Sequence, residues 1–203
     1  MGLAPLVVSK DPLAMNDPIG RQLIALIEAG DLPGAYHLFS SERKGGRPVL
    51  HSDAIRGPIW HRITDAADRF NEPGTFTAFI GYEYTSAPGR NNLHRVVMFR
   101  DGADKANTIL PLSANESEDP EALWAYLEQY EKSTGGQALA IPHNGNLSNG
   151  LMFDDVTLSG EPLTADYARR RQRWEPLYEV TQIKGDGETH PLLSTNDEFA
   201  DYY

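Results

Sequence analysis

Two strand-forming runs flank a short polar loop near the middle of the chain: residues 75–84, TFTAFIGYEY, and residues 93–100, LHRVVMFR. Aromatic and β-branched side chains are frequent in both, and such side chains suit a pleated surface. Pro88-Gly89 between them is a turn signal. The runs predict an antiparallel hairpin, and a hairpin fixes which strand ends lie together. Glu83 closes the first strand and His94 opens the second, so both fall at one end of the sheet. Apolar residues occupy both parities of the first run, Phe76, Ala78 and Ile80 on one and Phe79 on the other. That pattern predicts a strand covered on both faces, as in an α/β core. Glu83 shares its parity with Phe79 and Gly81. A carboxylate on the tail of such a buried strand costs several kcal/mol unless something pairs with it.

The chain before the hairpin reads as helical. Asp17-Pro18 is an N-cap followed by proline at the first helical position, Leu23, Ile24 and Ile27 form a stripe, and Gly30 closes it. Asp31 caps a second helix, KGGRP at 44–48 turns the chain, and Ser52 begins a longer helix with Ile55, Ile59, Ile63, Ala67 and Phe70 at helical spacing. His37, His51 and His61 lie here as surface or packing residues. Residues 1–71 thus form a helical region and residues 72–203 an α/β region, together one domain. In the second region Asp119-Pro120 repeats the cap signal and opens a helix long enough for a crossover. QALAI, residues 137–141, is a short buried strand that runs into Pro142, His143 and Asn144. A basic helix spans 164–174, and its run Arg169, Arg170, Arg171 and Arg173 reads as a solvated face. LYEVTQI, residues 177–183, predicts a further strand carrying Glu179, followed by a glycine-rich turn with Asp186, Glu188 and His190. Asn196 is placed to cap a final helix. Alternating helices and strands favour an α/β fold.

Composition removes several functions. A net charge of -11, with basic residues scattered apart from the arginine run, leaves no broad basic face for nucleic acid. With no cysteine, thiolate catalysis and sulfur-ligated zinc are excluded, so any metal must rest on His, Asp, Glu or water. No apolar run approaches the roughly 18 residues of a membrane span. The first residues make a poor signal peptide, and a soluble chain is expected.

The polar residues have a common location. Glu83 leaves one strand, His143 follows another by two residues, and His94 precedes a strand running the opposite way. All three belong to one rim, and in open α/β sheets and barrels ligands bind at the carboxyl ends of strands. One carboxylate and two imidazoles there suit a divalent cation, zinc, manganese or iron. The alternative is structural: Glu83 pairing with Arg90 or Arg95, and His94 capping a strand.

GYEYTS, NNLHRVVMFR, ALAIPHNGN and LYEVTQIKGDGETHP, in that order, resemble the DUF3604 family of bacterial proteins of unknown function over nearly the whole chain. The helix pair DPIGRQLIALIEAGDLPGAY resembles that family's inserted region. The family in turn looks like the polymerase-and-histidinol-phosphatase (PHP) class of metal-dependent phosphoesterases, within the amidohydrolase-like set. The resemblance implies a partial PHP-like (β/α) barrel with an N-terminal helical insertion and a hairpin carrying Glu83 and His94. It implies Glu83, His94 and His143 as metal ligands, although the third motif reads IPHN where the class has an Ala-His-Pro-like sequence. Asn92, Arg95 and Asn144 are the adjacent candidates for holding substrate. Glu179, Glu188 and His190 are possible additional site residues. The implied activity is phosphoester hydrolysis by metal-activated water on a small-molecule substrate. The alternatives are an amidohydrolase-type C–N or C–O hydrolase and a non-catalytic scaffold or binding domain. The class also carries His-x-His, Asp-His and Asp-x-His motifs, and none occurs here. The expectation is therefore an internal fragment of a longer protein, whose open sheet edges could pair with another copy.

Overall fold

A computed structural model describes residues 3–44, 52–187, 190–192, 195, 196 and 198. His51, Glu188, nearly all of the KGGRP turn and most of the helix expected after Asn196 lie outside the described residues. The protein is mixed α/β, with eight α-helices and small antiparallel sheets among the described residues. The chain divides into two compact units, Met1–Ala66 and Ala67–Tyr203.

The first unit contains α1 (Leu3–Val8), α2 (Pro12–Asn16), α3 (Pro18–Glu28), α4 (Leu32–Lys44) and most of α5 (Asp53–Phe70). The Asp17 carboxylate accepts from the backbone N–H groups of Ile19 and Gly20, each at 2.9 Å, which satisfies two of the free donors at the start of α3. Asp31 does the same for Gly34 at 2.8 Å. Leu6, Val7, Ala14, Leu23, Ile24, Ala35 and Ile55 make the core of this unit. α2 and α3 meet at Gly20, where a Cβ would sit 2.2 Å from the Ala14 carbonyl oxygen. A helical stripe is legible in the sequence only from α3 onward. α1 and α2 are six and five residues long, too short to show a helical stripe. Asp17→Ala is expected to destabilise this unit by about 1 kcal/mol, measured by urea denaturation, because it strips the cap while leaving the core intact.

The second unit is built on a three-stranded antiparallel sheet of β1 (Ile80–Tyr84), β2 (Arg95–Phe99) and β3 (Ala138–Pro142), in that spatial order. Ile80 pairs with Phe99 and Tyr84 with Arg95, and Arg95 pairs in turn with Pro142. α6 (Ala103–Ala106) and α7 (Pro120–Thr134) connect β2 to β3. The connection returns β3 antiparallel to its neighbour β2 and parallel to β1. α7 starts on the Asp119 cap and ends where Gly135 takes a left-handed conformation, φ 62°.

Residues alternate strictly across these strands. Ile80, Tyr84, Arg95, Val97, Phe99, Ala138 and Ala140 point to the buried face. Leu123, Trp124, Leu127 and Tyr130 of α7 are buried as well, and Phe99 meets Tyr130 edge-on at 4.8 Å. The other face is open: Val96 is 38 % exposed and Phe79 54 %. The expected cover on both faces is therefore not observed. Phe79, the apolar residue that broke the alternation, precedes β1 and is exposed. Within β1–β3 the pattern is that of a half-buried sheet. Among the described residues no barrel closes.

α8 (Ala165–Trp174) follows two short 3₁₀ turns; Arg169 and Arg173 are exposed, as on a solvated face, but three of its arginines also bond to other elements. Arg170 bonds Glu121 at 2.8 Å, Arg173 bonds Glu131 at 2.6 Å, and Arg171 bonds the Met152 carbonyl at 2.8 Å. They strap α8 to α7 and to the loop after β3. The strand expected over 177–183 is also corrected. Only β4 (Thr181–Gln182) forms, paired with β5 (Gly185–Asp186). The residues before it make a single backbone bond toward the sheet, from the Glu179 N–H to the Pro142 carbonyl at 3.2 Å.

Candidate metal centre

The sheet ladder assembles the site. Beyond the Arg95–Pro142 pair the chains continue one more step, and the His143 N–H donates to the His94 carbonyl at 3.2 Å. The two histidines are thus cross-strand neighbours. Period-two alternation puts His94 on the face of Val96 and His143 on the face of Ile141, and both partners of that pair face away from α7. Glu83 lies opposite Val96, so its side chain emerges on this same open face.

His94 Nδ1 lies 3.0 Å and His143 Nε2 3.2 Å from the same oxygen, Glu83 Oε1. The imidazole rings meet edge to face, 5.7 Å between centroids. One donor atom from each residue falls within 4.8 Å of the others, so the group could hold a metal ion. Donors bound to one zinc at about 2 Å lie within roughly 4 Å of each other; both spacings to Glu83 Oε1 meet that limit, and the N,N,O donor set suits such an ion. The site grades from solvent inward: the Glu83 side chain is 49 % exposed, that of His94 24 % and that of His143 9 %. Glu83 therefore does not carry the desolvation cost that a doubly covered strand would have imposed.

The surroundings hold the imidazoles in place. Asn92 Oδ1 accepts from the His94 N–H at 3.1 Å, and the Asn92 N–H donates to the Leu147 carbonyl at 3.0 Å. Asn92 thus acts on the His94 backbone. Asn144 adopts a left-handed conformation, φ 54°, and its N–H donates to Glu179 Oε2 at 3.1 Å. Its side-chain amide is buried with no hydrogen-bond partner among the described residues, and so is His143 Nδ1. Such orphaned buried polar atoms beside the carboxylate–imidazole group are what a binding site leaves for a ligand to satisfy.

Arg95 does not face the site, which corrects its assignment as a substrate contact. It is 2 % exposed on the opposite face of the sheet, where its Nε donates to Glu175 at 3.0 Å and its Nη1 to the Leu93 carbonyl at 2.6 Å. Parity decides this, since Arg95 adjoins His94 and must point the other way. Glu179 lies near His143, but Gln182 and the Asn144 N–H already occupy its carboxylate. Burial raises its pKa, and those two donors together with His143 and Lys184 outweigh that and hold it below the usual carboxylate value. His190 is outside the cluster: it is exposed, and its Nδ1 accepts from the Leu192 N–H. Nothing in the sequence singles out Lys184 or Glu175. Lys184 sits in a glycine-rich turn, and Glu175 follows a helix eighty residues from its partner Arg95.

Burial lowers the His94 pKa, the Glu83 carboxylate opposes that, and His143 and Lys184 add to the lowering. The folded protein then binds its proton less readily than the unfolded chain does. Stability is expected to fall as pH drops below the ordinary histidine value, until the depressed folded value is passed. Melting curves between pH 7.5 and 5.5 should show that loss, and His94→Gln should reduce it.

Among the described residues no helix is long and apolar enough to cross a membrane. No curated protein and no solved structure matches the chain. The sequence pattern of one family, described as "Protein of unknown function (DUF3604)", matches residues 33–203. That span covers well over half of the chain and all of β1, β2 and β3, so the protein belongs to the DUF3604 family.

Proposed function

We propose that this chain carries the site of a divalent-cation-dependent hydrolase of PHP-like type, acting on phosphoesters. The observation that carries the reading is the convergence of two imidazole nitrogens and one carboxylate oxygen on the open face of a sheet end. Glu83, His94 and His143 would hold the ion. A bound zinc, manganese or iron supplies Lewis acidity and lowers the pKa of water, which is the chemistry that phosphoester hydrolysis needs. The protein's own part is positional. The ladder bond between His143 and His94 sets their separation, Asn92 fixes the His94 backbone, and Glu179 fixes the turn at Asn144. The half-exposed Glu83 leaves the outer side of the centre open to a small molecule.

The test is elemental analysis of the purified protein, followed by a phosphoester panel assayed with added zinc, manganese or iron. Turnover that depends on metal and disappears in Glu83→Gln is the expected result. Turnover that survives Glu83→Gln removes these residues from the reaction. Hydrolysis of amides or lactones in place of phosphoesters moves the chain to the amidohydrolase-type alternative. Metal uptake without turnover of any kind favours a binding domain.

A further inference from the structure

We propose that the cavity at the opposite end of the sheet from the metal centre is a binding site for a small aromatic monocarboxylate, independent of the hydrolase reading.

A cavity of about 430 Å³ lies where β1 begins, β2 ends and β3 begins. Sites for small molecules have volumes of roughly 300–1,000 Å³. Met98 and Leu139 line it, and they face each other across the β2–β3 ladder on the open side of the sheet. β1 sets Gly81 opposite Met98, so the neighbouring position on that strand carries no side chain. A Cβ at Gly81 would lie 2.6 Å from the Val97 carbonyl oxygen, so no larger residue fits there without a backbone shift. Phe79 and Pro176 also line the cavity, and Phe79 is exposed. An aromatic ring and a thioether are both favourable neighbours for a further aromatic ring.

The charged groups select the other end of the ligand. Arg100, Arg173 and Glu131 line the same cavity. Two guanidiniums against one carboxylate leave a single positive charge, in a chain with a net charge of -11. A local excess of one cation attracts a monoanion to that spot. Both guanidiniums are held in place. Arg100 Nη1 donates to Gln137 Oε1 at 2.5 Å, and the Arg100 backbone N–H donates to the Gln137 carbonyl at 3.0 Å. Arg173 Nη2 donates to Glu131 Oε2 at 2.6 Å, and its Cζ lies 4.4 Å from the centre of the Trp174 ring. Glu131 Oε1 accepts from the Ala138 N–H at 3.0 Å, so both oxygens of that carboxylate are engaged by the protein. A guanidinium carries five N–H donors in a planar fork, and these contacts use one of each fork. The remaining donors match the paired oxygens of a carboxylate.

The test is calorimetric titration of naphthylacetate, and of its uncharged counterpart naphthylethanol, into wild type, Arg100→Met and Leu139→Trp. Wild type is expected to take the acid at least about tenfold more tightly than the alcohol, the scale of one charge-assisted hydrogen bond. Arg100→Met should remove that preference by weakening the acid alone. Leu139→Trp fills the cavity and should weaken both ligands. Arg100 is exposed and Leu139 lies on the open face, so neither change touches the core beneath α7. Equal affinity for acid and alcohol in wild type overturns the site, as does acid binding unchanged in both variants or a wild type that binds neither ligand. None of these outcomes requires a metal, so they leave the hydrolase reading to its own test.

Discussion

Replacing Glu83 with Gln should abolish tight binding of zinc or manganese and leave the fold standing. Glutamine keeps the shape and one oxygen, so Glu83→Gln removes the charge and little else. Both imidazoles converge on that single oxygen, which makes the charge common to the whole donor set. Loss of a residue that merely supports a ligand costs roughly 10–100-fold in metal affinity, so loss of a direct ligand should cost at least about 100-fold. The folded state has little at risk. The Glu83 side chain is half exposed, and pairs of that kind contribute about 0–1 kcal/mol. Thermal melts separate the two effects. Metal at a hundred times its dissociation constant adds about 2.7 kcal/mol to the stability of the wild type. For a chain of this size that corresponds to a rise of roughly 5–10 °C in Tm. Glu83→Gln should melt near the wild-type apo temperature with or without metal. A wild type whose melting point ignores all three metals would reduce the cluster to a hydrogen-bonded pair of histidines on a carboxylate.

Glu175→Ala should be the most destabilising of these substitutions, although it lies on the far face of the sheet from the metal centre. The Glu175 and Arg95 side chains are 1 % and 2 % exposed. Glu175 Oε1 accepts from Arg95 Nε at 3.0 Å and from Trp124 Nε1 at 2.8 Å, and Oε2 lies 3.3 Å from Arg171 Nε. One carboxylate therefore joins β2, α7 and the end of α8. Without it a guanidinium stays buried with one carbonyl for company, and an indole N–H loses its acceptor. Breaking a buried ion pair from one side costs about 3–5 kcal/mol, most of it the uncompensated charge. Urea denaturation would measure the loss. The double variant Arg95→Met, Glu175→Leu should recover more than half of it, since no charge then remains inside. A single-variant loss under about 1 kcal/mol would mean that water reaches the guanidinium. Arg95 also adjoins His94 in the chain, so weakened metal binding should accompany the loss of stability.

The convergence of Glu83, His94 and His143 was legible before any coordinates, because it follows from strand direction alone. A chain that runs out, back and out again brings the first strand's end, the second's beginning and the third's end to one rim, whatever the details of packing. The caps were legible for a similar reason: Asp17-Pro18 and Asp119-Pro120 act on backbone groups two or three residues away. The expected strand at 177–183 failed because β-propensity describes fit to a half-buried surface, and only two of those residues found a partner.

Local chemistry written in the sequence set the order of helices and strands, and which residues reach the same end of the sheet. Membership of a face is also local, since neighbours along a strand must point opposite ways. Which face α7 would cover was decided only by tertiary packing, and that choice sent Arg95 inward to Glu175 and left Glu83 and His94 looking outward. The ties from Glu179 and Lys184 to the loop after His143 were likewise set by a segment folding back some forty residues later. Contacts of that kind arise from the whole chain's burial, and no window of sequence contains both partners.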